Sequence, residues 1–204
     1  MKHQANKGER IAKIIARAGL ASRRQSEKLI LDGRVKVNGK TINSPALNLT
    51  KNDVIEVDGK LLLPPEQTRL WIYNKPVGLV STSKDEKNRP TIFDNLPKEL
   101  PRVVSIGRLD LNSEGLLLLT NDGELKRRLE LPSTGWLRRY RVRVKGKLKD
   151  SMLEPLRHGI FVEGTHFKPM DVSFDRQTGA NAWLSIGLRE GKNREIRKAL
   201  GFVG

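Results

Sequence analysis

The chain has 204 residues, 37% of them hydrophobic, with no cysteine and 39 Lys+Arg against 23 Asp+Glu, a formal net charge of +16. That length allows one large or two small domains; the missing cysteines exclude disulfides and thiolate metal sites, and no apolar run is long enough to cross a bilayer. So large a positive excess points to a polyanionic partner, above all nucleic acid, whose phosphates are neutralised with release of counterions.

The excess is spread along the chain: residues 1–66 hold 13 basic and 7 acidic side chains, and residues 67–204 the remaining 26 and 16. The N-terminal MKHQANKGER carries no apolar segment behind its charges, so no secretory signal is expected and a cytoplasmic location is. His3, His158 and His166 lie far apart, without paired-ligand spacing, so no metal site is expected.

Ile11, Ile14, Ile15 and Ala18 recur at helical spacing, with Arg10, Lys13 and Arg17 on the opposite side and Gly19 as the stop. Ser22 to Gln25 has the form of a capping box opening a second helix, which buries Leu29 and Ile30 and ends at Gly33. Arg34 to Lys40 then alternates with period two into an Asn38-Gly39 turn, and Val54 to Lys60 repeats the form with Asp58-Gly59, so two hairpin turns are expected. Arg17, Arg23, Arg24, Lys28, Arg34 and Lys36 cluster around the start of the second helix and the strand after it. Adjacent arginines at a helix N-terminus oppose the helix dipole, which favours an external anion; a solvated basic face is the alternative.

Pro64-Pro65-Glu66-Gln67-Thr68-Arg69 interrupts any helix or central strand and reads as a linker. Beyond it the pattern is mixed. Strands are expected at Trp71 to Tyr73, Val103 to Ile106, Leu137 to Lys145, Phe161-Val162, Met170 to Phe174 and Trp183 to Leu188. Helices are expected at Thr91 to Leu96, Glu124 to Glu130, Asp150 to His158 (with Leu153 and Leu156 inward and Pro155 a blemish) and after Asn193, which is placed to cap the last one. Trp71, Trp136 and Trp183 read as core or rim packing. Antiparallel-looking strands with intervening helices indicate an α+β fold.

One stretch stands apart. Gly107-Arg108-Leu109-Asp110-Leu111-Asn112-Ser113-Glu114-Gly115 is a polar loop fenced by glycines that runs into Leu116 to Leu119, read as a fully buried strand, and closes on Asn121-Asp122-Gly123. Such a support can place one carboxylate accurately, although an Asp in a loop also commonly caps local amides.

With these motifs assembled, the chain resembles bacterial ribosomal RNA pseudouridine synthases of the RsuA/RluB type. Residues 8–63 resemble the small RNA-binding domain first seen in ribosomal protein S-four, through Ser22-Arg23-Arg24, Gly33-Arg34-Val35 and Val37-Asn38-Gly39. Residues 70–204, after the linker 64–69, resemble the catalytic domain, a mixed and largely antiparallel sheet flanked by helices. The match rests on Asn74 to Gly78, Gly107 through Gly123, Arg139-Tyr140 and Glu190 to Arg197. In the family a further strand follows the last helix, so the domain is expected to be C-terminally shortened.

The resemblance implies an enzyme that detaches uracil from C1′ of a uridine, turns it and rejoins it through C5. It gives Asp110 the role of catalytic aspartate, Arg197 that of an ion-pair partner keeping the carboxylate ionised and aimed, and Tyr140 that of an active-site aromatic on the uracil. Arg108, Lys75, Arg139, Arg141 and Arg143 are then expected on RNA, as are Arg17, Ser22, Arg23, Arg24, Lys28, Arg34 and Lys36, although the alternation of the arginine strand also fits a plain solvated face. No metal or organic cofactor is implied. The expected partner is ribosomal RNA or a pre-ribosomal particle, met by a monomer away from membranes. The Asn193-Arg194-Glu195 form of the last motif points to the RluB-like branch and hence to large-subunit RNA. The alternative is a truncated, inactive protein that docks on ribosomal RNA through its N-terminal domain.

Overall fold

The structure, a computed structural model, describes residues 8–204; residues 1–7, and with them His3 and most of the N-terminal stretch read above, lie outside the described residues. The fold is α+β and divides into two compact units, the first ending at Arg127 and the second running from Arg128 to Gly204.

The first unit opens with β1 (Glu9–Arg10), α1 (Ile11–Arg17) and α2 (Arg23–Leu31), followed by β2 (Val35–Val37), β3 (Lys40–Ile42), β4 (Asn48–Leu49), β5 (Ile55–Val57) and β6 (Lys60–Leu61). The sheet order is β3-β2-β5-β6, and β1 pairs β4. Ile11 and Ile15 of α1, Ile30 of α2, Val35 and Val57 form one core; each such side chain contributes about 1.5–3 kcal/mol on burial. The capping box forms: the Ser22 hydroxyl accepts from Gln25 N at 3.2 Å and the Gln25 side chain accepts from Ser22 N at 2.9 Å. Both hairpin turns take left-handed φ, 50° and 79° at Asn38-Gly39 and 53° and 74° at Asp58-Gly59, which is why these residue pairs stand there.

Residues 62–69 carry no regular structure. The unit continues with β7 (Leu70–Lys75), a 3-10 turn at Ile92–Asn95, β8 (Val104–Ile106), β9 (Gly115–Thr120) and α3 (Gly123–Glu130). The sheet order is β7-β9-β8, antiparallel, with β9 central. The leucine run differs from the expected fully buried strand: Leu117 and Leu119 are buried, whereas Leu116 is 67% exposed. An antiparallel strand covered on one face buries alternate residues. Asp122 caps α3, its Oδ1 accepting from Glu124 N at 2.8 Å.

The second unit contains β10 (Arg138–Lys145), a 3-10 turn at Asp150–Leu153 running into α4 (Glu154–His158), β11 (Ile160–Val162), β12 (Thr165–Phe167), β13 (Asp171–Thr178), β14 (Asn181–Leu188) and α5 (Glu195–Val203). Pro155 sits in the first turn of α4, where its missing N–H costs nothing, rather than marring a longer helix. The sheet order is β10-β14-β13. Leu153, Leu156, Leu184, Ile186 and Ala199 form its core. Asn193 does not cap α5: the N-cap is Arg194, in the left-handed region at φ 51° and without a side-chain cap. Glu195 does related work instead, its Oε2 accepting from Lys192 N at 2.8 Å.

Among the described residues no helix is long and apolar enough to cross a membrane.

Candidate active site and nucleic-acid interface

Asp110 lies in the loop between β8 and β9, half-buried, with Arg108 exposed two residues earlier. Gly107 (φ 74°) and Gly115 (φ 107°) bound the loop in conformations that side-chain-bearing residues rarely adopt. The loop backbone is pinned from several sides. Ser113 N donates to Asp110 O at 3.0 Å and Gly78 N to Leu111 O at 2.8 Å. The buried Ser81 hydroxyl donates to Leu109 O at 2.9 Å and accepts from Leu109 N at 3.2 Å.

The central support is Lys75. It ends β7 directly opposite Gly115 of β9, and its side chain is fully buried. Its Nζ donates to the carbonyls of Pro76 at 2.9 Å, Asp110 at 3.2 Å and Ser113 at 2.8 Å. An ammonium has three donors, and all three are used. Burial pushes its pKa below the usual lysine range, against the opposing pull of the Asp110 and Glu114 carboxylates. The expectation of Lys75 on a phosphate is therefore corrected: a buried, fully satisfied ammonium cannot reach one.

Two other side chains expected on RNA are engaged inside the fold. Arg17 donates to Thr68 Oγ1 at 2.7 Å and to Asn121 O at 3.3 Å, and pairs with Asp122 at 3.1 Å. Ser22 is the cap of α2. By contrast Arg23, Arg24, Lys28 and Lys36 stand exposed around the start of α2 and along β2. Arg34 is exposed as well, in a bidentate pair with Asp58 at 2.7 and 2.6 Å.

In the second unit Tyr140 occupies the inward series of β10, opposite Ile186, and packs half-buried against the core. Arg139 and Arg141 point to the other side of the strand and are exposed. Arg197 is exposed on the first turns of α5 and lines an open cavity of about 510 Å³ with Glu163, Arg194, Lys198 and Phe202. The segment leading into α5 is held by two carboxyl groups that composition alone does not single out. Glu190 accepts from Lys168 N at 2.6 Å and pairs with Lys192 at 3.0 Å. Glu195 is 3% exposed. Burial raises its pKa to about 7, and the neighbouring Glu190 pushes in the same direction against the Lys192 amide.

One signal that could have revealed these supports is in the sequence. On β7, Trp71, Tyr73 and Lys75 share the inward alternation, which puts the lysine on the core face. Ser81 carries no pattern of its own.

A family model described as RNA pseudouridylate synthase matches residues 69–201, and an S4 domain model matches residues 9–55. The chain is 50% identical to an uncharacterized RNA pseudouridine synthase of Rickettsia felis over 196 residues, covering 96% of this chain and 85% of that protein. It is 43% identical to the ribosomal large subunit pseudouridine synthase B of Pseudomonas aeruginosa, covering 94% of this chain and 51% of that protein. A solved structure, the crystal structure of a pseudouridylate synthase, superposes with a TM-score of 0.63 at 26% identity, covering 97% of this chain and 84% of that one.

Proposed function

The chain belongs to the RNA pseudouridylate synthase family, with an S4 domain ahead of the synthase region, and from that premise we propose that it converts a uridine of large-subunit ribosomal RNA to pseudouridine, with Asp110 as the catalytic carboxylate. The choice of RNA is supported by the Pseudomonas aeruginosa relative, a ribosomal large subunit enzyme by name, and by the Asn193-Arg194-Glu195 motif.

The observation that carries the role of Asp110 is the pinning of its backbone by the buried Lys75 ammonium. Loss of the base from C1′ builds positive charge on the sugar, which a fixed anion stabilises or captures. A carboxylate on a loop with little freedom does this without reorganising during the reaction. In the isomerisation the N1–C1′ bond breaks and a C5–C1′ bond forms; the C5 proton leaves and N1 takes one up, so no electrons are gained or lost. Tyr140 is assigned to the uracil, as a stacking surface and as the group that moves the C5 proton. Arg197 is assigned to favouring the ionised form of the catalytic carboxylate, as a neighbouring cation does. The target nucleotide must leave its stack before C1′ is accessible, and Arg108 is assigned to the space it vacates.

The exposed cations Arg23, Arg24, Lys28, Arg34 and Lys36 are assigned to docking the RNA through its phosphates. We place the boundary between this docking domain (8–63) and the synthase domain (70–204) in segment 64–69, which carries no regular structure. The test is to incubate purified protein with unmodified ribosomal RNA and map pseudouridine. One modified position in large-subunit RNA is the expected result; a folded, RNA-binding protein that leaves no pseudouridine would overturn the proposal.

A further inference from the structure

The two faces of the sheet in the second unit differ sharply. Tyr140, Val142 and Val144 of β10 pack inward on the core. Arg139, Arg141, Arg143 and Lys145 alternate to the outer face and are exposed. The register sets Arg141 opposite Ser185, and Arg143 opposite Trp183, of β14. On the far side Trp183 pairs with Arg176 of β13, just past a register shift between Phe174 and Arg176. One indole is thus surrounded by three guanidinium groups, with Arg141 Cζ at 4.9 Å, Arg143 Cζ at 5.9 Å and Arg176 Cζ at 6.0 Å from the ring centroid.

Five cations share this face with two carboxylates, Asp171 and Asp175, and Asp175 is engaged with the Ser185 hydroxyl at 3.0 Å. Among the described residues none of Arg141, Arg143 and Arg176 has a carboxylate ion-pair partner. Three like charges gathered over one ring repel one another, a cost that an external polyanion relieves. A guanidinium lying on an aromatic face keeps its edge N–H groups directed into solvent, and its rotamers are already restricted, so less freedom is lost when it takes a phosphate. Along β10 the outward arginines recur every second residue, about 6.8 Å apart, comparable to successive phosphates of a single RNA strand.

We propose that this outer sheet face, Arg141, Arg143 and Arg176 around Trp183, is a second RNA-contacting surface, which holds the phosphate backbone of a segment flanking the modified uridine. Alternation puts Tyr140 on the opposite side of the same strand, so the face holds RNA other than the target base. The occupant is RNA rather than protein or membrane because the face presents several guanidinium groups, without carboxylate ion-pair partners among the described residues, around one shielded ring. This inference rests on the reading of RNA as substrate.

The test measures binding of an in vitro transcript of unmodified large-subunit ribosomal RNA by fluorescence anisotropy over a range of salt. All proteins carry Asp110→Asn, so that turnover does not intrude. Arg141→Ala/Arg143→Ala/Arg176→Ala should bind more weakly, and the slope of log affinity against log salt should flatten by about 2, since each phosphate contact contributes about 0.7–0.9. The corresponding triple lysine variant should recover the slope. Trp183→Leu should weaken binding with the slope unchanged, because the charges remain. Should the triple variants melt early, Arg141→Gln alone decides, with a loss of about 0.8 in slope. A parent slope retained by the alanine or glutamine variant overturns this inference and leaves the substrate reading intact. Failure of the parent itself to bind the transcript overturns both.

Discussion

The buried ammonium of Lys75 donates a 3.2 Å hydrogen bond to the backbone carbonyl of Asp110, and two further bonds to Pro76 and Ser113 complete its set. A cation at the end of β7 thereby fixes the loop from which the proposed catalytic carboxylate projects. Replacing it with a chain of similar length and no charge should uncouple the loop from the sheet. Lys75→Met removes a donor from three carbonyls, of which Asp110 O keeps Ser113 N, and should lower stability by about 1–3 kcal/mol. Displacement of the loop should also lower kcat by about 100-fold, while RNA affinity stays near the parent value. Thermal melts, single-turnover kinetics and anisotropy on one preparation check all three; a parental kcat would remove the positioning role.

Arg17 and the pair Arg23-Arg24 should separate cleanly. Arg17 is bound to Thr68, Asn121 and Asp122, so Arg17→Ala should cost about 1–2 kcal/mol of stability with the salt dependence of RNA binding unchanged. Arg23→Ala/Arg24→Ala removes two exposed cations and should leave the melting temperature alone while flattening the salt slope by about 1.5. Denaturant titration beside salt-dependent binding reads both effects.

Glu195 carries a pH signature. Its pKa is raised by burial to about 7 in the folded chain, above the ordinary carboxylate value of about 4.3 for an unfolded Glu. The folded state then binds the proton more tightly, so this group's contribution to stability is full below about pH 4 and falls as pH rises through about 7. Glu195→Gln mimics the protonated form. It should melt like the parent at pH 4 and above it at pH 8. Equal melting at both values would show that the carboxyl is ionised without cost.

The linker should be open to proteolysis. Residues 62–69 have no regular structure, and Pro64 to Glu66 are exposed, whereas Gln67, Thr68 and Arg69 are tied to Asn121 and Asp122. A glutamate-specific protease should cut first after Glu66, giving an N-terminal fragment that retains RNA binding. First cleavage at any other glutamate would place the boundary elsewhere.

Much of the fold was legible because the determinants are local. The Ser22 to Gln25 capping box, the Asn38-Gly39 and Asp58-Gly59 turns and the inward Leu153 and Leu156 are each written in a few neighbouring residues, and each stands where its pattern put it. The exposure of Leu116 is not legible, because four leucines in a row hide an alternation that only pairing with β7 and β8 imposes. Asn193 was a sound cap on composition, yet Glu195 reached back to Lys192 instead. Lys75 is the residue whose place is least legible in the sequence. A lysine beside a catalytic motif in a basic chain suggests phosphate, and only tertiary structure shows three carbonyls waiting for it in the core. Arg17 is a similar case, its partners lying more than fifty residues away in sequence.

Asp110 is proposed to perform the glycosidic chemistry and not merely to shape its loop. The direct measurement is pseudouridine mapping on unmodified large-subunit ribosomal RNA treated with Asp110→Asn, alongside binding of the same RNA. Asn keeps the size of the side chain, removes its charge and turns one acceptor oxygen into a donating amide. The expected result is no pseudouridine at the position the parent modifies, with melting temperature and RNA affinity unchanged. Full turnover by Asp110→Asn would contradict it.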